Sequence, residues 1–581
     1  MGASEAAETD RNMAIGAGVT PLFPGFNDLY YSDTATCESR FRNGYFDESD
    51  KDPLAFMTLR NQVQLSTYGN SIGKNMKDLY RFVSDHLRGA IGSVHLLPIY
   101  PSSGDGGFAP IAYTSVDPEM GSWDDVKTIS DRYDLCVEFM VNHISPESDQ
   151  FKDFIQKGDD SEFAEMFIDW DKFWPEGRPT KEDLARIRTR KGEAPVLEVE
   201  MADGSKRRVW CTFGPQQIDI NPMTPAGWKF VHTSICSLYN KGARVIRLDA
   251  FGYFTKKLGT RCFFEEPESW ELLENIEKLV EERGIRLLCE VHEEYETNLK
   301  IAERGYWVYD FALPLLVLHA FHFRTAENLR HWLHICPRRQ ITVLDTHDGM
   351  GIDDISGLAT VCDTEELKKI ASEAQSKNLA SITPKFLYDP EKSVYVSNPH
   401  QINCTYYSAC EQEDHLYLLA RAIQFFCPGI PLVYYVGMLA GSNDLCLAKR
   451  TGSGREINRH RYSYEQAVEE VQRPVVQTLL EMCRFRNQHP AFRGRMHVED
   501  DVPGHVLVVT WQNGEARATL TVDFQTKAYN IAHTGHDHKE GDELRVVRFE
   551  RGGEGSHEDS ILGLDTTVRM APERGEMVVS A

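Results

Sequence analysis

Positive charge is scarce in this chain. Its 63 Lys and Arg stand against 88 Asp and Glu, a formal net charge of −25, which repels polyanions and leaves no broad basic surface for nucleic acid. A phosphate-bearing ligand must therefore find its positive charge in a local cluster. Cys-x-x-Cys pairs are absent, and the 13 cysteines are scattered with no His–Cys grouping at zinc-finger spacing. That gives no metal centre and predicts buried free thiols in a reducing compartment. Long hydrophobic runs are missing too: the longest, Phe311 to Phe321, falls short of the ~20 residues that span a bilayer. The N-terminus is acidic and has no basic segment leading into an apolar one, so it does not read as a secretory signal. The expectation is a soluble, cytoplasmic protein with a small-molecule ligand, no nucleic acid and no membrane. It is compatible with acting alone or as a homodimer.

What the chain does carry is a regular alternation. Apolar, β-branched runs at 62–68, 93–100, 134–143, 243–251, 284–291, 307–314, 341–348 and 429–437 are bounded by turn signals, as strands are. Between them, 76–88, 122–132, 226–240, 268–283 and 413–426 have apolar residues at three-and-four spacing and read as amphipathic helices. Eight such units predict an α/β fold, a (β/α)8 TIM barrel with strands buried on both faces. The barrel is expected in three stretches, 59–143, 226–349 and 412–493. Two intervals are too long for simple connections. Residues 144–225, charged and rich in Pro, Gly and Trp, follow the third strand; residues 350–411, with Gly/Asp turns and a helical patch near 364–377, follow the seventh. Both are expected to be inserted subdomains over the barrel mouth. From 494 to 581 short alternating strands such as Val506 to Trp511 predict an all-β C-terminal domain, with 552–560 a loop. Residues 1–58 lack sustained periodicity and read as an N-terminal extension.

Three carboxylates end separate predicted strands: Asp249 in Arg-Leu-Asp-Ala, Glu290 in Cys-Glu-Val-His and Asp348 in Thr-His-Asp-Gly. In a parallel barrel the catalytic groups gather at those ends. Taken singly, such a residue is more often a solvated or salt-bridged loop residue. Together they suit cleavage of a glycosidic bond with retention, which needs a nucleophilic carboxylate and a second carboxyl group acting first as acid and then as base. Asp249 is the candidate nucleophile, with Arg247 two residues earlier keeping it ionised. Glu290 is the candidate acid, a role that calls for a pKa raised by burial or negative neighbours. Asp348 is the candidate stabiliser of the distorted sugar, and His143 and His347 could donate to the same ring. Spacing alone does not name the substrate.

Val-Asn-His at 141–143, Arg-Leu-Asp-Ala at 247–250, Glu-Val-His at 290–292 and Thr-His-Asp-Gly at 346–349 resemble the ordered signature segments of the α-amylase-type glycoside hydrolase family. The stretches at 215–220, 309–314, 403–407, 433–437 and 454–460 narrow the resemblance to its sucrose phosphorylase branch, over roughly residues 60 to 525. The resemblance implies Asp249 as nucleophile, Glu290 as acid/base and Asp348 as transition-state stabiliser. It implies a glucose subsite of Asp105, Phe108, His143, Phe213, Arg247, His347 and Arg459, and an acceptor side with Gln217, Tyr253, His292 and Gln401. It further implies a covalent glucosyl intermediate intercepted by inorganic phosphate, without pyridoxal phosphate, other cofactor or metal.

Branch members differ in leaving group: fructose, fructose 6-phosphate or glycerate. His400 before Gln401 resembles the sucrose 6'-phosphate enzymes. The insertion carries Arg186, Arg188, Arg190 and Lys191 in one run; of these Arg188, Arg190 and Lys191, with His400, are candidates for binding a second phosphate. A short basic run is equally a solvated loop. The alternatives are a hydrolase or transglucosidase on the same barrel, a glucosylglycerate phosphorylase, or a binding protein on an inactive barrel, which the presence of all three carboxylates argues against.

Overall fold

A computed structural model describes residues 59–356, 358, 380–534, 544–549 and 564–568, the last two segments in backbone only. The N-terminal extension, the helical patch near 364–377 and the 552–560 loop lie outside the described residues.

Eight parallel strands close a barrel: β1 (Gln64–Thr67), β2 (Ser93–Leu96), β3 (Asp134–Met140), β4 (Val245–Asp249), β5 (Arg286–Cys289), β6 (Trp307–Asp310), β7 (Gln340–Thr342) and β8 (Ile430–Tyr434). They run in chain order around the ring, and Leu65 opposite Val433 closes it between β1 and β8. Each lies inside one of the eight predicted runs or within a residue of it. Near-continuous burial, as in β1, β2, β4 and β8, is what covering by helices outside and packed side chains inside requires.

The helices begin where the sequence supplies caps. Asn75 accepts from the Lys77 and Asp78 N–H groups to start Met76–His86, Ser122 and Asp125 form a capping box for Trp123–Ser130, and Thr224 with Pro225 opens Pro225–Asn240. Several strands end short of their predicted runs, the second at Leu96, the sixth at Asp310 and the seventh at Thr342, which leaves Asp348 in the loop after the seventh. After the sixth, Leu313–Phe323 is a helix with Pro314 in its first turn. The Asp310 carboxylate accepts the Leu313 N–H at 3.0 Å. This helix is apolar on nearly every side, so no amphipathic period marks it off from the strand before it.

The insertion after β3 holds short helices and a hairpin, Val196–Glu200 with Lys206–Trp210, packed on a cluster of Trp170, Trp174 and Trp210. The insertion after β7 contains strands where only turns were expected: Ser381–Asp389 pairs antiparallel with Val394–Asn403, which also pairs with Met350–Gly351. Pro384, Pro399 and partial exposure on both faces erase the clean alternation by which strands are recognised. A six-stranded antiparallel sheet from Arg495–Val498 to Leu564–Val568 follows the barrel. It is fastened by Trp511, whose indole N–H donates to the Phe426 carbonyl at 2.9 Å. The described cysteines are free thiols, most of them buried. No described helix is long and apolar enough to cross a membrane.

Candidate active site

The three carboxylates line one cavity at the C-terminal end of the barrel, Asp249 and Glu290 on the buried Arg247 and Asp348 on Arg455 and Arg459. Arg247 in β4 donates through Nη1 to Glu138 at 2.6 Å and to Asp249 at 2.9 Å, and its Nη2 lies 2.7 Å from Glu290. Glu138, fully buried in β3, spends its other oxygen on His95 Nε2 of β2 at 2.8 Å. Four neighbouring strands thus contribute to one charged floor: His95, Glu138, Arg247 with Asp249, and Glu290 just past β5. The turn after Asp249 is equally specific. Ala250 takes a left-handed conformation (φ 51°) and points its N–H at Glu290 Oε2, 2.9 Å away, a strained geometry of the kind that collects at functional sites.

Burial and the negative charge of Glu290 push the Asp249 carboxyl well above its usual range, with Arg247 opposing. This runs against the expectation that Arg247 keeps Asp249 ionised: burial and the charge of Glu290 outweigh the guanidinium. Asp348 is the opposite case. Burial disfavours its charge, yet Arg455, His347 and Arg459 outweigh burial and hold it well below the carboxylate range. Arg455 and Arg459 each lie 3.5 Å from its Oδ1. Burial keeps His143 and His347 low, so both are neutral hydrogen-bonding groups near pH 7. For His292, burial is outweighed by Asp354, 3.0 Å from Nδ1, and the imidazole is raised.

A cavity open to solvent sits on this floor. Asp105, Phe108, His143, Arg190, Phe213, Gln217, Asp249, Tyr253, Glu290, His292, His347, Asp348 and Gln401 line it. Of the residues expected on the glucose side, Arg247 lies in the floor and Arg459 stands behind Asp348, its Nε donating to the His347 carbonyl at 2.9 Å. Phe108 stacks on His347 with centroids 4.7 Å apart and planes at 7°. Gln217 Nε2 donates to the Phe108 carbonyl at 3.1 Å and lies 3.4 Å from Asp105.

The four candidates for an acceptor phosphate separate. Arg190 faces the cavity and, with Arg188, lowers the Tyr253 hydroxyl against the effect of its burial. His400 is fully buried; its Nδ1 lies 3.2 Å from Asp353 and its Nε2 has no hydrogen-bond partner. Burial, reinforced by Arg190, holds that imidazole well below its usual value. Arg188 is outside the cavity lining, in an ion pair with Glu293 behind Tyr253 and Phe263. Lys191 reaches the Val196 carbonyl at 3.4 Å within its own insertion and does not line the cavity. These two placements differ from the expectation for the basic run: Lys191 falls on the other side of the extended segment from Arg190, whereas Arg188, on the same side, is held by Glu293.

Arg455, Phe263, Glu138 and His95 were not singled out from sequence. Arg455 and Phe263 line the cavity with no signal that sequence alone provides. Glu138 and His95 did leave one, as polar residues inside two otherwise apolar strands. Among the described residues, one grouping could hold a metal ion: Glu290, His292 and Asp348, with ligand atoms within 4.8 Å of one another. Arg247, Arg455 and Arg459 already occupy its carboxylates, which opposes a second cation there.

No family model matches the chain. Curated relatives do. A glucosylglycerol phosphorylase of Marinobacter adhaerens and a sucrose phosphorylase of Streptococcus mutans are each 42% identical over 478 residues, covering 82% of this chain and 98% of theirs. The crystal structure of a sucrose 6F-phosphate phosphorylase from Thermoanaerobacter thermosaccharolyticum superposes with a TM-score of 0.78 at 40% identity, over 83% of this chain and 98% of that one. An α-amylase from H. orenii, with a TM-score of 0.58 at 13% identity over 83% of this chain and 95% of that one, shows the same fold alone. With this fold and these relatives, the chain belongs to the sucrose phosphorylase branch of the α-amylase-type family, a group of retaining glycoside phosphorylases.

Proposed function

We propose that this chain transfers the glucosyl group of sucrose 6'-phosphate, and of sucrose, to inorganic phosphate, giving α-glucose 1-phosphate and fructose 6-phosphate or fructose. Asp249 attacks the anomeric carbon while Glu290 gives its proton to the departing fructosyl oxygen. Phosphate then enters the vacated side, Glu290 takes the proton from its attacking oxygen, and the glucosyl–Asp249 ester opens. Two inversions at one carbon leave the α configuration unchanged. Arg247 orients both carboxyl groups. Asp348, held ionised by Arg455 and Arg459, grips sugar hydroxyls and stabilises positive charge on the distorted ring. Phe108, Phe213, His143, His347 and Asp105 shape the glucose side, and Gln217, Tyr253, His292 and Gln401 the acceptor side.

The observation that carries the acceptor assignment is Arg190 in the cavity lining, near enough to act on the charge of His400, whose buried Nε2 has no partner. In a chain of net charge −25, the Arg190 guanidinium is a local anion receptor, and the neutral His400, whose Nδ1–H goes to Asp353, offers its Nε2 lone pair to a protonated phosphate oxygen. Two anions use it in turn: the 6'-phosphate of the donor and the attacking phosphate. A glucosylglycerol donor is the second reading, favoured by the equal identity to the Marinobacter enzyme.

The test is the initial rate of α-glucose 1-phosphate formation from sucrose 6'-phosphate, sucrose, glucosylglycerol and glucosylglycerate, with and without phosphate. The sucrose-type donors are expected to be fastest and the product to require phosphate. Glucose release independent of phosphate makes the chain a hydrolase instead. Arg190→Gln and His400→Phe should each raise KM for sucrose 6'-phosphate about 10- to 100-fold, the worth of one hydrogen bond to a charged group. An equal loss on sucrose refutes the phosphate assignment.

A further inference from the structure

The basic run of the insertion forms a strap across the barrel mouth, and its side chains alternate in destination. Ile187 joins the tryptophan cluster, Arg188 turns toward the barrel, Thr189 bridges to Phe386 of the hairpin, and Arg190 enters the cavity. Arg188 is the point of attachment. Its side chain is 10% exposed and paired with Glu293, its Nη2 donates to the His292 carbonyl at 2.6 Å, and its guanidinium lies 4.2 Å over the Phe263 ring. The Arg188 N–H donates to the Arg261 carbonyl at 2.9 Å, and Arg261 Nη2 in turn reaches both Glu293 oxygens at 3.1 Å. One carboxylate, its side chain 12% exposed, therefore joins guanidinium groups from two separate loops. It lies three residues past Glu290 and next to His292.

We propose that Glu293 is a positioning residue for the acceptor subsite: by holding Arg188 and Arg261 it locks the strap in the place from which Arg190 meets the phosphate of the acceptor. Glu293 touches neither the cavity nor the reacting atoms, so its effect passes through Arg190; this rests on the proposed reading of Arg190 as the acceptor-side cation. The charged and titratable neighbours of Arg190 include Tyr253, Arg455, Arg188, Asp348 and His400. Without Glu293, Arg188 and Arg261 lose their shared counter-ion beside a third guanidinium, and the Arg188 side chain keeps its contacts with Phe263, the His292 carbonyl and the Tyr253 hydroxyl. Breaking a buried pair on one side leaves an uncompensated charge that the segment relieves by moving.

The experiment uses the full chain with Glu293→Gln, Arg188→Gln and the double variant, and two measurements. The first is the rate of native-state trypsin cleavage after Arg190 and Lys191, which needs no activity. The second is KM for phosphate at saturating donor. Glu293→Gln is expected to be cut at the strap about tenfold faster and to need about tenfold more phosphate, the effect of one lost charge-assisted contact, with kcat changed far less. The double variant should be no worse than the worse single one, since both remove one contact. Cleavage at the wild-type rate overturns the lock, and so does additive loss in the double variant. Faster cleavage with an unchanged phosphate KM overturns the link to the acceptor. If Glu293→Gln does not fold, Arg261→Gln, at a side chain 56% exposed, must show a smaller shift in the same direction; no shift overturns the proposal. A wild-type protein that forms no α-glucose 1-phosphate refutes the proposed function, while the cleavage rates still decide the lock.

Discussion

Glu138 offers the sharpest perturbation of the catalytic electrostatics, because it shares one nitrogen with the candidate nucleophile. Its Oε2 and the Asp249 Oδ1 lie 2.6 and 2.9 Å from the same Arg247 Nη1, which keeps the two oxygens within about 5.5 Å of each other. At that separation and an effective dielectric near 20 their repulsion is about 3 kcal/mol, or roughly two pKa units at about 1.4 kcal/mol each. Glu138→Gln removes this repulsion and leaves Arg247 to Asp249 and Glu290. The sign follows: Glu138 raises the Asp249 carboxyl, so its neutralisation lowers it. The acidic limb of the kcat/KM profile should therefore move to lower pH by about one to two units, the smaller figure allowing for relaxation of Arg247. The substitution also disturbs His95, whose Nε2 now faces an amide; a stability loss of about 3 kcal/mol is expected for one broken side of a buried pair. The assay is a pH–rate profile on protein shown to be folded by circular dichroism. An acidic limb that stays in place or moves upward refutes the assigned coupling.

Two further predictions follow from buried groups near the site. Lys256 is 4% exposed and pairs with fully buried Asp219 at 2.8 Å, joining the loop after β4 to the insertion; Lys256→Met should destabilise the chain by about 3–5 kcal/mol in urea unfolding, and a change below 1 kcal/mol contradicts the pairing. His347 is held well below its usual pKa by burial, so the unfolded chain binds a proton below about pH 6.5 that the folded chain refuses. This loss of stability grows as pH falls until the folded pKa is reached. His347→Gln should accordingly flatten the decline in unfolding free energy between pH 7.5 and 5.5 relative to the wild type, and a steeper decline in the variant refutes the burial argument.

The barrel was legible because its strands are buried on both faces and so read as unbroken apolar runs. The same logic hid the start of the Leu313–Phe323 helix, which is too uniformly apolar to show a period of 3.6. The Ser381–Asp389 and Val394–Asn403 hairpin was invisible for the opposite reason: a half-exposed pair of strands interrupted by prolines lacks both signatures. At the site, the positions of Asp249 and Glu290 were legible because strand ends are predictable from the strands, whereas Asp348 lies in the loop after a strand that stops at Thr342. The residues that set their charge were harder. Glu138 and His95 could have been read as polar groups with nowhere to go in buried strands, whereas Arg455 comes from a distant segment that only the fold brings near. For the Arg188–Lys191 run, sequence supplies the charges but not their directions, and the directions decide that Arg190 alone of the three reaches the cavity.

The most direct measurement is the site of covalent attachment. Quenched mixing of the protein with an activated α-glucosyl donor in the absence of phosphate, followed by proteolysis and mass spectrometry, should find one glucosyl residue on the peptide that contains Asp249. Adding phosphate should discharge it as α-glucose 1-phosphate. A glucosyl group on Glu290 or Asp348, or β-configured product with no adduct, contradicts a double displacement through Asp249.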